Sequence, residues 1–456
     1  MNDAVCLSDA RSALKLAQGS RERSIGALAD LVGIPSLTGE EGRAQRHVAA
    51  LLEGIGAEVT LAEPDIEELF RRFPRIAQYP THWQHDLVLP YERLPTFQAL
   101  VASGLAGVLN YGNRPNVVAI LRGAGGGRSL ILNTHVDTVT IEPSNEWQHE
   151  PFGATIENGL MYGRGTSDMK GGLMAGLMAL AYLREADVRL RGDVTFQCVV
   201  NEEHSGNGTL DLVRRGYTAD AAMVLEPTNN AVFVSHPGGL YWVLRVPGTS
   251  RSPGARWDSE RQVGISAIEN LPPLIEGLLN LERNFNAKAT GAQKPFSLVF
   301  GRIAGGHYET VTAGETTLRG VAYFAPSIGD VDDVMDRFRA AVATANTANP
   351  FLSDNPARIS FLHHDDSARQ DRKIPIAVEA ANLLARRGVK SAIADAPFCC
   401  DMRHLVNQGG IPSIIFGPGT IAQAHKPDEH IVLAEYTECI EDLIEIIAKW
   451  CGVYTT

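Results

Sequence analysis

The stretch NVVAILRGAGGGRSLILNTHVDTV, Asn116 to Val139, holds two β-branched apolar runs joined by a glycine-rich segment. Runs this short, bounded by glycines, predict buried strands, and the link between them predicts that the two pair as a hairpin of central strands. The second run ends in His135, with Asp137 two residues on. A strand period of two puts that imidazole and carboxylate on one face. An imidazole there can bind a metal while the carboxylate fixes its tautomer or orientation. A lone histidine at a strand end is more often simply hydrogen-bonded, so the pair alone decides nothing.

Working outward, Asn158-Gly159 between ATIE and LMYG signals a second hairpin. Met169 to Ala186 reads as an apolar, small-residue helix that packs tightly on a sheet, and DVTFQCVV and AAMVLE read as further strands. Upstream, apolar spacing predicts helices over 21–34 and 40–55, the second started by a capping box at Thr38–Glu41. Residues 62–112 read as an irregular excursion. From Gly238 the pattern becomes strand, helix, strand, strand, helix, about a hundred residues able to bury their own face. After Pro350 the earlier pattern resumes. The expected fold is therefore α/β: a mixed sheet covered by helices, formed by 1–237 and 351–456, with an inserted α+β domain over 238–350.

Composition narrows the function. The chain has 456 residues, 44% hydrophobic and 21% charged, as in globular proteins. A formal charge of −12 excludes a phosphate-backbone partner, which needs a basic face. No stretch approaches the ~20 apolar residues of a membrane span, and the N-terminus lacks a basic segment followed by an apolar one, so the expectation is a cytoplasmic location with no membrane partner. Cys6, Cys198, Cys399, Cys400, Cys439 and Cys451 form no C-x-x-C pair, which suits a reducing compartment.

Four further stretches carry chemistry. Asp168 lies in GRGTSDMKGG, Glu202 and Glu203 in NEE, Glu226 in LEP and His425 in AHKPDEH. Each has an ordinary reading, as helix cap or solvated strand end. Adjacent acids on a strand point to opposite faces, yet acids sharing a site repel unless a cation or a proton-transfer task holds them. All fall at strand ends or loops of one expected sheet, where α/β sites form.

In order, LILNTHVDTV, MYGRGTSDMKGG, VVNEEHSGNG, MVLEP and FGPG followed by AHKPDEH resemble the M20 metallopeptidase and deacylase family over almost the whole chain. RPNVVAIL and the excursion before it resemble the acetylornithine-deacetylase-like branch. The resemblance implies one or two divalent metals per subunit, zinc first and manganese or cobalt as alternatives. One metal takes His135, Asp168 and Glu226, the other Asp168, Glu203 and His425. It further implies Glu202 as general base toward metal-activated water, Asp137 as the partner of His135, and a cis Asp168–Met169 peptide.

The inserted domain is then the family's lid and dimerisation domain, implying a homodimer or higher homo-oligomer. Here the sequence departs from the pattern. GTSRSPGARW offers Arg251 where relatives carry an oxyanion-stabilising histidine, GGHYETVTAGE offers Thr310 for asparagine, and GVAYFAP offers Tyr323 for arginine. Arg251, His307 and Tyr323 are the candidate substrate contacts. The leading expectation is hydrolysis of an amide C–N bond in a small carboxylate-bearing molecule such as an N-acyl amino acid. The alternatives are an aminohydrolase releasing ammonia from an aromatic amine, amidine or ureido substrate at the same metal site, and a non-catalytic binding protein.

Overall fold

The run Leu130–His135 is buried along its whole length, and a strand buried this completely needs a neighbour on each edge. Neither neighbour is the run that precedes it. In a computed structural model, which describes residues 10–80, 96–107, 109–289, 294–386, 388 and 393–454, the first of two units carries a six-stranded sheet. Its order is β1 (Glu58–Ala62), β2 (Asn116–Leu121), β6 (Val194–Val199), β3 (Leu130–His135), β7 (Ala221–Val224) and β12 (Ser413–Ile415). The β1–β2 and β2–β6 pairs are antiparallel, while β6, β3, β7 and β12 run parallel, so the sheet is mixed.

The expected β2–β3 hairpin is therefore not formed: β6 lies between them. The glycine-rich link crosses the approach to β6, where Ala124 and Gly125 donate to the carbonyls of Leu190 and Arg191, and Leu130 to that of Asp193. The second expected hairpin is present, β4 (Thr155–Glu157) pairing antiparallel with β5 (Leu160–Tyr162), and β13 (His430–Val432) joins its other edge.

Helices α1 (Arg11–Gly19), α2 (Arg21–Val32), α3 (Gly42–Gly54), α4 (Gly171–Glu185), α5 (Asn207–Arg214), α8 (Pro375–Arg386) and α9 (Leu433–Cys451) are the longer helices of this unit, and a short one spans Met402–Asn407. The small residues of α4 let it approach the chain beyond β7 so closely that a Cβ on Gly172 would fall into the Leu225 carbonyl. Helix α3 has no capping box. Its N-cap is Glu41, which makes no side-chain cap bond, because the Glu41 carboxylate takes two hydrogen bonds of 2.7 Å from Arg114. Thr38 instead donates to the Asp137 carboxylate at 3.0 Å. The excursion contains short helices at Ile66–Arg72 and Phe97–Ala102, and Cys6 lies outside the described residues.

The second unit, His236–Ala368, is an antiparallel sheet of order β9 (Phe296–Gly305), β10 (Glu315–Phe324), β8 (Gly238–Pro247), β11 (Arg358–Asp365). Alternate residues Leu240, Trp242 and Leu244 of β8 enter one core with Leu274 and Leu278 of α6 (Leu271–Asn286) and Phe338 of α7 (Val331–Ala348). Strand β11 was not anticipated, and it carries this unit past the expected boundary at Pro350. Among the described residues no helix is long and apolar enough to cross a membrane.

Candidate metal centre

Parallel strands β6, β3 and β7 end at one edge of the sheet, with His135 level with Val199. The chain leaving that edge presents His135 at the end of β3, Glu202 and Glu203 just past β6, and Glu226 just past β7. Adjacent parallel strands thus bring together what the sequence keeps up to 91 residues apart. Nε2 of His135 lies 3.3 Å from an Asp168 oxygen, 3.6 Å from Glu226 and 3.7 Å from Glu202. Nε2 of His425 lies 3.3 Å from the other Asp168 oxygen and 3.0 Å from Glu203. Asp168 faces both imidazoles, and its peptide to Met169 is cis.

The support beneath these groups is specific. The Nδ1 of His135 is 2.9 Å from the main-chain carbonyl of Asp137. A carbonyl can only accept, so Nδ1 carries the proton and the Nε2 lone pair faces the acids. The tautomer is thus fixed by the backbone of Asp137 and not, as the sequence suggested, by its carboxylate, which stands at 3.8 Å. That carboxylate instead accepts from the amides of Glu202 and Glu203 at 3.1 and 3.2 Å and from Thr38. It holds the whole Glu202–Glu203 turn against β3. On the other side Glu429, ion-paired with Arg164 at 2.7 Å, accepts from the amides of Ser167 and Asp168. Lys170 anchors the same segment through Leu31 and Ile34 carbonyls, and burial pushes its amine down to about 7.

The charge balance tests whether a cation fits. Burial pushes the Glu202 and Glu226 carboxyls up, with His135 opposing. Burial alone would raise Asp168 too, but the two imidazoles that face it hold it below the ordinary range. Burial lowers His135, and Glu226, Asp168 and Glu202 more than reverse that. Glu203 leads in pushing His425 up to about 11. Four carboxylates around two imidazoles, with the buried Nε2 of His135 lacking a hydrogen-bond partner, leave negative charge that side chains do not balance. Nitrogen and carboxylate-oxygen donors of this kind fit a divalent metal.

The remaining candidates lie in the second unit. Arg251 and His307 line one open cleft of 720 Å³ with Arg256, Glu269 and Thr310. Tyr323 does not join them: it pairs with Gly239 and Ser297, whereas the cleft end of β10 pairs Thr316 with Gly305, a distance of roughly 24 Å along the strand. Sequence reasoning missed Thr38, Glu429, Lys170 and a buried group, Asp401, Arg403 and His404, that converges on Gly206. Glu429 stood within the AHKPDEH motif and Lys170 within GRGTSDMKGG; the others carried no local signal of this role.

A mixed sheet with this cluster at its parallel strand ends defines a metal-dependent hydrolase. Residues 131–449 match the model of peptidase family M20/M25/M40, and the chain belongs to that family, as a hydrolase acting on amide C–N bonds. It is 31% identical over 372 residues to N-formyl-4-amino-5-aminomethyl-2-methylpyrimidine deformylase of Halalkalibacterium halodurans, covering 75% of this chain and 84% of that one. It is 24% identical over 376 residues to a protein of Staphylococcus aureus named as a probable succinyl-diaminopimelate desuccinylase, covering 74% and 86%. A tripeptidase of Staphylococcus aureus superposes with a TM-score of 0.69 at 17% identity, covering 95% and 99%, a likeness of fold.

Proposed function

We propose that this enzyme removes a small acyl group from nitrogen, and that a formamide or other short amide of a compact amine is its substrate class. The observation that carries the reading is the convergence of His135, Asp168, Glu202, Glu203, Glu226 and His425 on one point. One metal would be held by His135, Asp168 and Glu226, and a second by Asp168, Glu203 and His425; zinc is the first choice, manganese and cobalt the alternatives. When bound, the metal polarises the amide carbonyl and acidifies water. Glu202, uncommitted to metal, is the general base: it takes the proton of the attacking water and returns it to the leaving nitrogen. Asp137 positions His135 and the glutamate turn.

The stronger identity to a deformylase than to a desuccinylase supports a short acyl group over an N-acyl amino acid. The cleft shared by Arg251 and His307 supports their role toward substrate, and Tyr323 is set apart from it. We read the assembly as a homodimer or higher homo-oligomer, supported by edge strand β9, where Val299 and Ile303 are 47% and 59% exposed. The cytoplasmic reading is supported by the cysteines, all free among the described residues.

The test is a panel of N-formyl, N-succinyl and N-acetyl amines beside aryl amines, scoring carboxylate and ammonia separately. Carboxylate release that disappears on chelation and returns with Zn²⁺, Mn²⁺ or Co²⁺ is expected. Ammonia release instead would make it an aminohydrolase, and full turnover in metal-free protein would refute the site.

A further inference from the structure

The Glu202–Glu203 turn is held at its far end by a residue from the excursion. Asn201, the residue before Glu202, has a left-handed backbone with φ +63, a conformation that asparagine tolerates but does not choose unaided. Its carbonyl accepts from the amides of Ser205 and Gly206 at 3.1 and 3.0 Å, closing the turn that carries both glutamates. Its side-chain oxygen accepts from the Tyr111 hydroxyl at 2.8 Å. That hydroxyl accepts in turn from Asn207 Nδ2 at 2.8 Å, and Asn207 exchanges two hydrogen bonds with the backbone of Gln78. Tyr111, Asn201 and Asn207 are all buried, and the Arg114 guanidinium, locked by Glu41, lies 4.9 Å from the Tyr111 ring centre. One phenol oxygen therefore joins both ends of the turn to the segment before β2, a link across 90 residues.

We propose that Tyr111 is a positioning residue for the general base: its hydroxyl, held between Asn201 and Asn207, fixes the left-handed turn that presents Glu202 to the cluster. The proposal rests on Glu202 acting as the base, and it gives the excursion a task. Buried hydrogen-bonded supports of this kind hold reacting groups within fractions of an ångström, and their loss typically lowers activity by about 10–100-fold.

The experiment is Tyr111→Phe, which removes one oxygen and keeps the ring. The expected result is a kcat lower by about 10–100-fold with KM unchanged, together with faster amide exchange at Ser205 and Gly206 while the β6 amides keep their protection. Asn201→Gly, which keeps the backbone angle and removes the anchor, should match that loss, and the double variant should lose no more than either single one. It also serves if Tyr111→Phe does not fold. Unchanged exchange at Ser205 and Gly206, or additive losses, overturns the proposal. Glu202→Gln run in parallel separates the two ideas: if it turns over normally the assigned base is wrong, and the exchange measurement still decides whether Tyr111 holds the turn. An inactive Glu202→Gln beside a fully active Tyr111→Phe overturns the positioning role alone.

Discussion

Gly206→Ala places one methyl group where the glutamate turn meets the buried Asp401, Arg403 and His404 group. Gly206 has φ +65, so alanine there is strained by roughly 1–2 kcal/mol. Its Cβ would stand 2.5 Å from Asp401 Oδ1, 2.5 Å from His404 Nε2 and 2.6 Å from Arg403 Nη2, about 1 Å inside an ordinary contact of ~3.5 Å on three sides. None of these side chains has solvent to retreat into, so overpacking adds about 1–3 kcal/mol. The combined loss of about 2–5 kcal/mol lies within the stability of most folded domains, so the variant folds. Relief comes most easily by moving the turn itself, since Gly206 is bonded to the Asn201 carbonyl. A displacement near 1 Å at Glu202 lowers kcat by about 100-fold. Denaturant unfolding of the metal-loaded protein gives the first quantity and steady-state kinetics the second. A native kcat with an unshifted unfolding midpoint would refute the reasoning, showing that the turn has room the packing denies.

Glu202→Gln should keep its metal content and lose about 10²–10⁴-fold in kcat; loss of metal instead would mean that the roles of Glu202 and Glu203 are exchanged. Arg251→Ala should remove roughly 2–4 kcal/mol of transition-state stabilisation, read as kcat/KM, if the guanidinium meets a buried anion, and unchanged kcat/KM would turn attention to His307. In metal-free protein, burial raises the Asp401 carboxyl to about 6, with Arg403 opposing. A carboxyl raised on folding gives stability that is complete below its ordinary range and is lost as pH rises through the folded value. The stability of native protein relative to Asp401→Asn should therefore fall between pH 4 and pH 6, and a flat difference would contradict the burial argument.

The convergence of imidazoles and carboxylates was legible in sequence because its members sit in short motifs, and His135, Glu202, Glu203 and Glu226 follow apolar runs, whose strand ends are where parallel sheets gather side chains. The strand order was not. The runs of β2 and β3 look like a hairpin because a glycine-rich segment joins them, yet complete burial of β3 demands two neighbours, and which strands serve is decided by chain far downstream. Thr38 and Glu41 have the spacing of a capping box, but local spacing competes with a buried arginine and with the Asp137 carboxylate, and those win. Tyr111 carries no signal at all: its hydroxyl matters only because of what lies 90 residues away. Strand β11 was overlooked for a related reason, since RISFLHHD has polar residues on the face that its sheet leaves half open.

Among the described residues the second unit is the stretch His236–Ala368, and the first unit lies on both sides of it in the chain, up to Ser235 and again from Arg369. A ribosome making this protein therefore completes the second unit before the first can close. About 130 residues separate the two halves of the first unit, roughly 7–26 s of synthesis at ordinary speeds. Throughout that interval His135, Asp168, Glu203 and Glu226 already exist, but His425 does not, and α4 still lacks α9, its largest helical neighbour. The newborn chain thus passes through a stage with an uncovered apolar helix and with one of the five residues proposed to hold metal still to be made.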